Sequence, residues 1–165
     1  MIVAGLLAAG KLVHTALEDH KFVFLGAGEA GTGIADLIAL AIHDSCGKSV
    51  EEARKQIWLV DSKGLVVHER RESLQHHKLL YAHEGPVTST CTSLTRVQSD
   101  STALMDAINF IRPSVLIGVC TIPKSFTRVN SQYMNRCYEF SKLKCCIGGL
   151  WSLVLKIALK NSFRA

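Results

Sequence analysis

Several signatures that would mark a metal centre, a membrane segment or a nucleic-acid reader are missing here. The six cysteines form no C-x-x-C pair and have no H-x-x-x-H partner, so zinc-site spacing is absent. Cys46, Cys91 and Cys120 stand alone, and Cys137, Cys145 and Cys146 gather near the end of the sequence. Adjacent cysteines such as Cys145 and Cys146 do not readily bridge each other. No disulfide framework is expected, and reduced thiols fit a cytoplasmic protein. The opening "MIVAGLLAAGKLV" has no basic leader, is interrupted at Lys11 and offers no clean small-x-small cleavage site. It is too short to cross a bilayer and reads as a buried helix. The net charge of +5 is dispersed. The denser basic spots, "ERRE" and the alternating Lys142, Lys144, Lys156 and Lys160, read as solvated surface. With aromatics at 7% and not interleaved with cations, neither a nucleic-acid nor a membrane partner is expected. No internal repeat is visible.

What is present is ordinary globular material: 165 residues, 48% hydrophobic and 20% charged. That length suits one domain able to bury roughly 70% of its unfolded surface. An Ala- and Leu-rich helix is expected over 2–17. "KFVFLG" reads as a fully buried strand ended by Gly26. A helix apolar nearly all round should follow over 30–43, stopped by Gly47. Ser49 and Glu52 form a capping box that starts another helix. "IWLVD" is a second buried strand ending at Asp61, "SKG" a turn and "LVV" a third short extended piece. The rhythm is that of an α/β fold with a parallel sheet and crossover helices. The Ser/Thr-rich run over 87–102 reads as an unusually long loop. "ALMDAINFIRP" is an amphipathic helix stopped by Pro113, and "SVLIGV" another buried strand. Beyond Thr127 the rhythm is lost. "CCIGGLWSLVLKIALKN" reads as an apolar helix with no reason to join the sheet.

Between the first strand and the helix, Gly26-Ala27-Gly28-Glu29-Ala30-Gly31 spells G-x-G-x-x-G. Gly26 permits the tight turn out of the strand, Gly28 lets the backbone approach a pyrophosphate, and Gly31 lets the helix pack closely on the strand. The helix N-terminus presents unsatisfied N–H groups and a positive dipole end to phosphates. The rival phosphate loop fails: "GKS" occurs at 47–49, but position 42 is Ile and a helix precedes it. An acidic residue should sit at the ribose, at the end of the second strand. Asp61 occupies that place, later than usual because a second capped helix intervenes. Ser62 and Lys63 follow it. A hydroxyl and an ammonium there suit a 2′-phosphate and favour NADP over NAD, although on physics alone the triplet is equally a polar turn. His76, His77 and His83 form a local group better explained as a wet loop than as metal ligands. No nucleophile–base pair has interpretable spacing.

The stretches "FVFLGAGEAGTGIADLIALAI", "EEARKQIWLVDSKGLVV", "RRESLQHHK" and "YAHE" closely resemble the nucleotide-binding domain of malic enzymes, above all the plant NADP-dependent type. "AGLLAAGKLV" is similar to the helix before that domain's first strand, and "INFIRPSVLIGV" with "SFT" to its fourth-strand region. The likeness covers 2–84 well and 103–127 in part. It implies a Rossmann-type parallel sheet over 1–127 carrying a loop insertion at 87–102, and an irregular tail over 128–165, helical or disordered. It implies that the family converts L-malate to pyruvate and CO2 with NAD(P) and Mg²⁺ or Mn²⁺. Gly26, Gly28, Glu29, Ala30 and Gly31 would line the pyrophosphate and Asp61 the ribose. Ser62, Lys63 and Lys78 match positions tied to NADP preference, NAD remaining possible. The family's catalytic tyrosine, catalytic lysine and acidic metal ligands lie upstream of the matched segment, so no catalytic or metal residue is assigned. Where the family has a glycine-rich turn after its fourth strand, this sequence has "CTIPKSFT", and Pro123 removes an N–H.

A nucleotide-binding fragment without turnover of its own is therefore expected. The alternatives are an active malic enzyme, a non-catalytic dinucleotide-binding or interaction module, and an unrelated nicotinamide dehydrogenase. The resemblance also implies a homo-oligomeric family, and a plastid location if a leader has been lost.

Overall fold

Phe22 to Leu25 contains no polar residue, and strand β1 (Phe22–Leu25) is buried at every position. Such a strand must be covered on both faces. The computed structural model describes residues 2–85, 100–119 and 154–157. In it β1 pairs in parallel with β2 (Ile57–Asp61) on one side and β4 (Val115–Gly118) on the other. The short β3 (Gly64–Leu65) runs antiparallel to β2, and β5 (Val154–Ile157) antiparallel to β4. The sheet order is β3-β2-β1-β4-β5.

Alternate side chains of the strands enter two cores. Phe22, Phe24, Ile57, Leu59, Val115 and Ile117 face one layer, built from α1 (Ile2–Val13), α2 (Glu29–Cys46) and α3 (Val50–Arg54). Val23, Leu25, Val60 and Leu116 face the other, where α5 (Asp100–Ile111) supplies Leu104, Ala107, Ile108 and Ile111. A one-turn helix, α4 (His76–Leu79), packs near α2. This is the Rossmann-type α/β arrangement the sequence implies. Ser49 and Glu52 close their capping box, and Gly47 ends α2 in a left-handed conformation at φ 73°. Among the described residues, no helix is long and apolar enough to cross a membrane.

Four expectations need correction. The first helix stops at Val13, and His14 turns left-handed at φ 53° before a single 3-10 turn at Leu17–Asp19. The third extended piece enters the sheet antiparallel to β2, as Gly64–Leu65, because "SKG" makes a tight reversal and not a crossover, while Val67 bridges His83. Helix α5 starts at Asp100, so positions 100–102 of the expected loop are helical. The apolar tail helix is not formed at Val154–Ile157, where the chain adds a strand to the sheet. A short apolar run has no period that separates helix from strand, and the open edge of β4 decides the matter. The remaining positions of the expected loop and tail lie outside the described residues.

The junction between β1 and α2 is tight. A Cβ placed on Gly31 would lie 2.5 Å from the carbonyl oxygen of Gly26 and 3.2 Å from Val119. Backbone cannot yield at that distance, so Gly31→Ala should push α2 off the sheet. The expected loss is about 1–3 kcal/mol, as for other overpacked sites. Gly33, exposed and with nothing within 4 Å of its added Cβ, is the control. Gly33→Ala should stabilise by up to about 1 kcal/mol through helix propensity. Urea midpoints of the two variants, moving in opposite directions, check this.

Candidate functional site

The turn after β1 is built from backbone. Gly26 adopts φ 112°, a conformation that strains side-chain-bearing residues, and its N–H donates to Val60 O at 2.8 Å. Gly28 is the N-cap of α2, and an added Cβ there meets nothing within 4 Å. Gly28, Glu29 and Ala30 are exposed, and Gly31 is buried against the strand. Thr32 N–H makes the first bond back into the helix, to Gly28 O at 3.0 Å. The amides of Glu29, Ala30 and Gly31 precede it and carry the positive end of an 18-residue helix. Open space before these amides suits an anionic phosphate group.

The second half of the site lies where β2 ends. The Asp61 carboxylate is gripped by cations. Arg70 Nη2 donates to both of its oxygens, at 3.0 and 2.9 Å, and Arg70 Nη1 donates to Leu65 O at 2.8 Å. Lys78 Nζ lies 3.5 Å from the same carboxylate. The Lys63 backbone N–H donates to Asp61 Oδ1 at 2.8 Å, while the side chains of Ser62 and Lys63 sit at an exposed corner. The structure thus brings Asp61, Ser62, Lys63 and Lys78 to one end of β2, although Lys78 is distant from the others in sequence.

Arg70 is the residue the sequence reading missed. "ERRE" reads as solvated surface, yet the Arg70 side chain is only 10% exposed and is locked between strand end and carboxylate. The overlooked signal was an arginine soon after an acidic strand end. With Arg70 and Lys78 both paired to one carboxylate, the corner carries a surplus of positive charge.

The histidine group does not gather. His76 is exposed on α4, while His83 lies in no wet loop. Its Nε2–H donates to Ile57 O at 2.7 Å, and its ring stands 4.2 Å from that of Trp58. Among the described residues, no group of three or more His, Cys, Asp or Glu side chains could hold a metal ion. The "CTIPKSFT" turn with Pro123 lies outside the described residues.

A buried strand, a glycine turn, a helix N-terminus and a charged corner on the neighbouring parallel strand define a dinucleotide-binding domain of the Rossmann type. The sequence model of the family described as "Malic enzyme, NAD binding domain" matches residues 1–141. This chain belongs to that family, and so to the domains that bind a nicotinamide dinucleotide. It is 51% identical over 129 residues to NADP-dependent malic enzyme 3 of Arabidopsis thaliana, a match covering 78% of this chain and 20% of the relative. With the NADP-dependent malic enzyme of Vitis vinifera it shares 46% identity over 140 residues, covering 84% of this chain and 21% of the relative. The chain spans about a fifth of the length of these relatives.

A buried histidine, His20, and a half-buried one, His83, should make stability depend on pH. Burial pushes His83 below its ordinary value, aided by nearby His68 and opposed by the bond to Ile57. Burial also lowers His20, whose Nδ1 is hydrogen-bonded to Ser114 Oγ at 2.9 Å, with Asp19 opposing. The unfolded chain takes up these protons near the ordinary 6.5 and the folded chain does not. Stability present above that value should therefore fall as pH drops below it towards the lowered values. Urea midpoints measured between about pH 7.5 and 5 should decline, and His83→Gln should flatten the decline.

Proposed function

We propose that this chain is the NADP-binding domain of a malic enzyme, serving the oxidative decarboxylation of L-malate in the complete protein. The bound cofactor would accept hydride from the malate C2 carbon. What this chain's residues contribute is binding and orientation. The amides of Glu29, Ala30 and Gly31 meet the pyrophosphate, and Gly28 leaves room for its approach. Ser62, Lys63 and Lys78 meet the 2′-phosphate, and Asp61 gathers Arg70 and Lys78 at the ribose end. The carrying observation is the cationic corner: Asp61 lies within 3.5 Å of both Arg70 and Lys78. One carboxylate cannot neutralise two cations, so a further anion is favoured there. The names of the relatives, all NADP-dependent malic enzymes, support the same choice. The divalent metal of malate chemistry has no ligand set among the described residues.

Fluorescence titration of the purified chain should show NADPH bound more tightly than NADH. Lys78→Gln should weaken NADPH by about tenfold, the size of one lost charge-assisted hydrogen bond, and NADH far less. Equal affinities in the parent chain, or equal losses in the variant, would count against NADP. In the same samples malate and Mn²⁺ should give no NADPH production above a metal-free control; production would overturn the binding-only role.

A further inference from the structure

Asp36, Arg54 and Tyr81 have no place in the cofactor site as described, yet they join its two halves. The Tyr81 ring is fully buried in the core beneath α2. Its hydroxyl donates to Asp36 Oδ1 at 2.7 Å. That oxygen also accepts from Arg54 Nε at 3.3 Å and Nη2 at 3.0 Å, and the guanidinium lies 5.9 Å from the Tyr81 ring centre. Burial, with the Asp36 carboxylate beside it, pushes the Tyr81 hydroxyl far above its ordinary value. It stays a donor throughout the neutral range.

Asp36 lies on α2, the helix whose first turn faces the glycine cradle. Tyr81 follows α4, and its N–H bonds back to Lys78 O at 3.0 Å. Helix α4 has only 4 residues, too few to hold its own shape, so tertiary contacts must set its position. The buried ring anchors this turn, and the hydroxyl fixes where along α2 it rests.

We propose that Tyr81 and Asp36, braced by Arg54, are positioning residues for Lys78, setting the span between the pyrophosphate cradle and the cation at the 2′-phosphate. This rests on the reading of Lys78 as a 2′-phosphate contact. Loosening the clasp leaves the cradle intact and displaces the cation, so NADPH loses affinity while NADH does not. A merely structural role would weaken both dinucleotides together.

The test measures NADPH and NADH dissociation constants for the chain and for Tyr81→Phe, Asp36→Leu, Asp36→Asn and Lys78→Gln. Tyr81→Phe and Asp36→Leu should weaken NADPH roughly three- to tenfold, the size of one lost hydrogen bond, with NADH held within about twofold. Asp36→Asn keeps an acceptor for the Tyr81 hydroxyl and should restore most of the NADPH affinity lost in Asp36→Leu. In the Lys78→Gln background, Tyr81→Phe should change NADPH binding no further, because the group it positions is gone. Equal losses for both dinucleotides, or no loss while Lys78→Gln remains selective, would overturn the positioning role and leave Lys78 in place. If Lys78→Gln itself fails to separate the two dinucleotides, the 2′-phosphate reading falls and this inference falls with it.

Discussion

The whole site hangs on how closely α2 approaches β1. The carbonyl of Gly26 and the α-carbon of Gly31 are so near that a single methyl group on Gly31 would reach 2.5 Å from that oxygen. This contact brings the helix N-terminus directly over the strand end. Amides and dipole then address the space where the strand stops, and not the flank of the sheet. Everything else in the domain fits around that approach. Gly26 turns at a left-handed φ of 112° to make it possible. The buried apolar face of α2, with Ile38, Ala39 and Ile42 all fully inaccessible, holds the helix there.

The second constraint is electrostatic. Asp61 ends β2 beside the cradle, where its carboxylate is bound by Arg70 and approached by Lys78. The Arg70 guanidinium, bonded through Nη2 to both Asp61 oxygens and through Nη1 to Leu65 O, is held in one geometry, whereas the Lys78 ammonium is a more loosely placed charge. The corner therefore combines a fixed charge pair with a more loosely placed cation, and the proposed role of the Tyr81–Asp36 bond is to limit where that cation sits. In the proposed reading, backbone shape would select a dinucleotide at one end of the site, and positive charge would select among dinucleotides at the other.

How much of this could be read from the sequence follows from the range of each interaction. The strand–turn–helix unit was legible because the determinants of its turn lie within ten residues: an apolar run and three spaced glycines, followed by an apolar helical continuation. The capping box at Ser49 and Glu52 was legible for the same reason. Arg70 was not, because its meaning depends on a bond to Asp61 across a turn whose direction no local pattern gives. Tyr81 and Asp36 meet over 45 positions of separation, and neither residue type signals such a bond. The strand at Val154–Ile157 was hidden because short apolar runs satisfy helix and strand alike.

The central claim is that the glycine turn and the charged corner hold the two ends of one dinucleotide. It is tested most directly by titrating the isotope-labelled chain with NADP⁺ and following each backbone amide by NMR. The account predicts that Glu29, Ala30 and Gly31 shift together with Ser62, Lys63 and Lys78, along a single binding curve. Shifts confined to one group, or two groups following different curves, would contradict it.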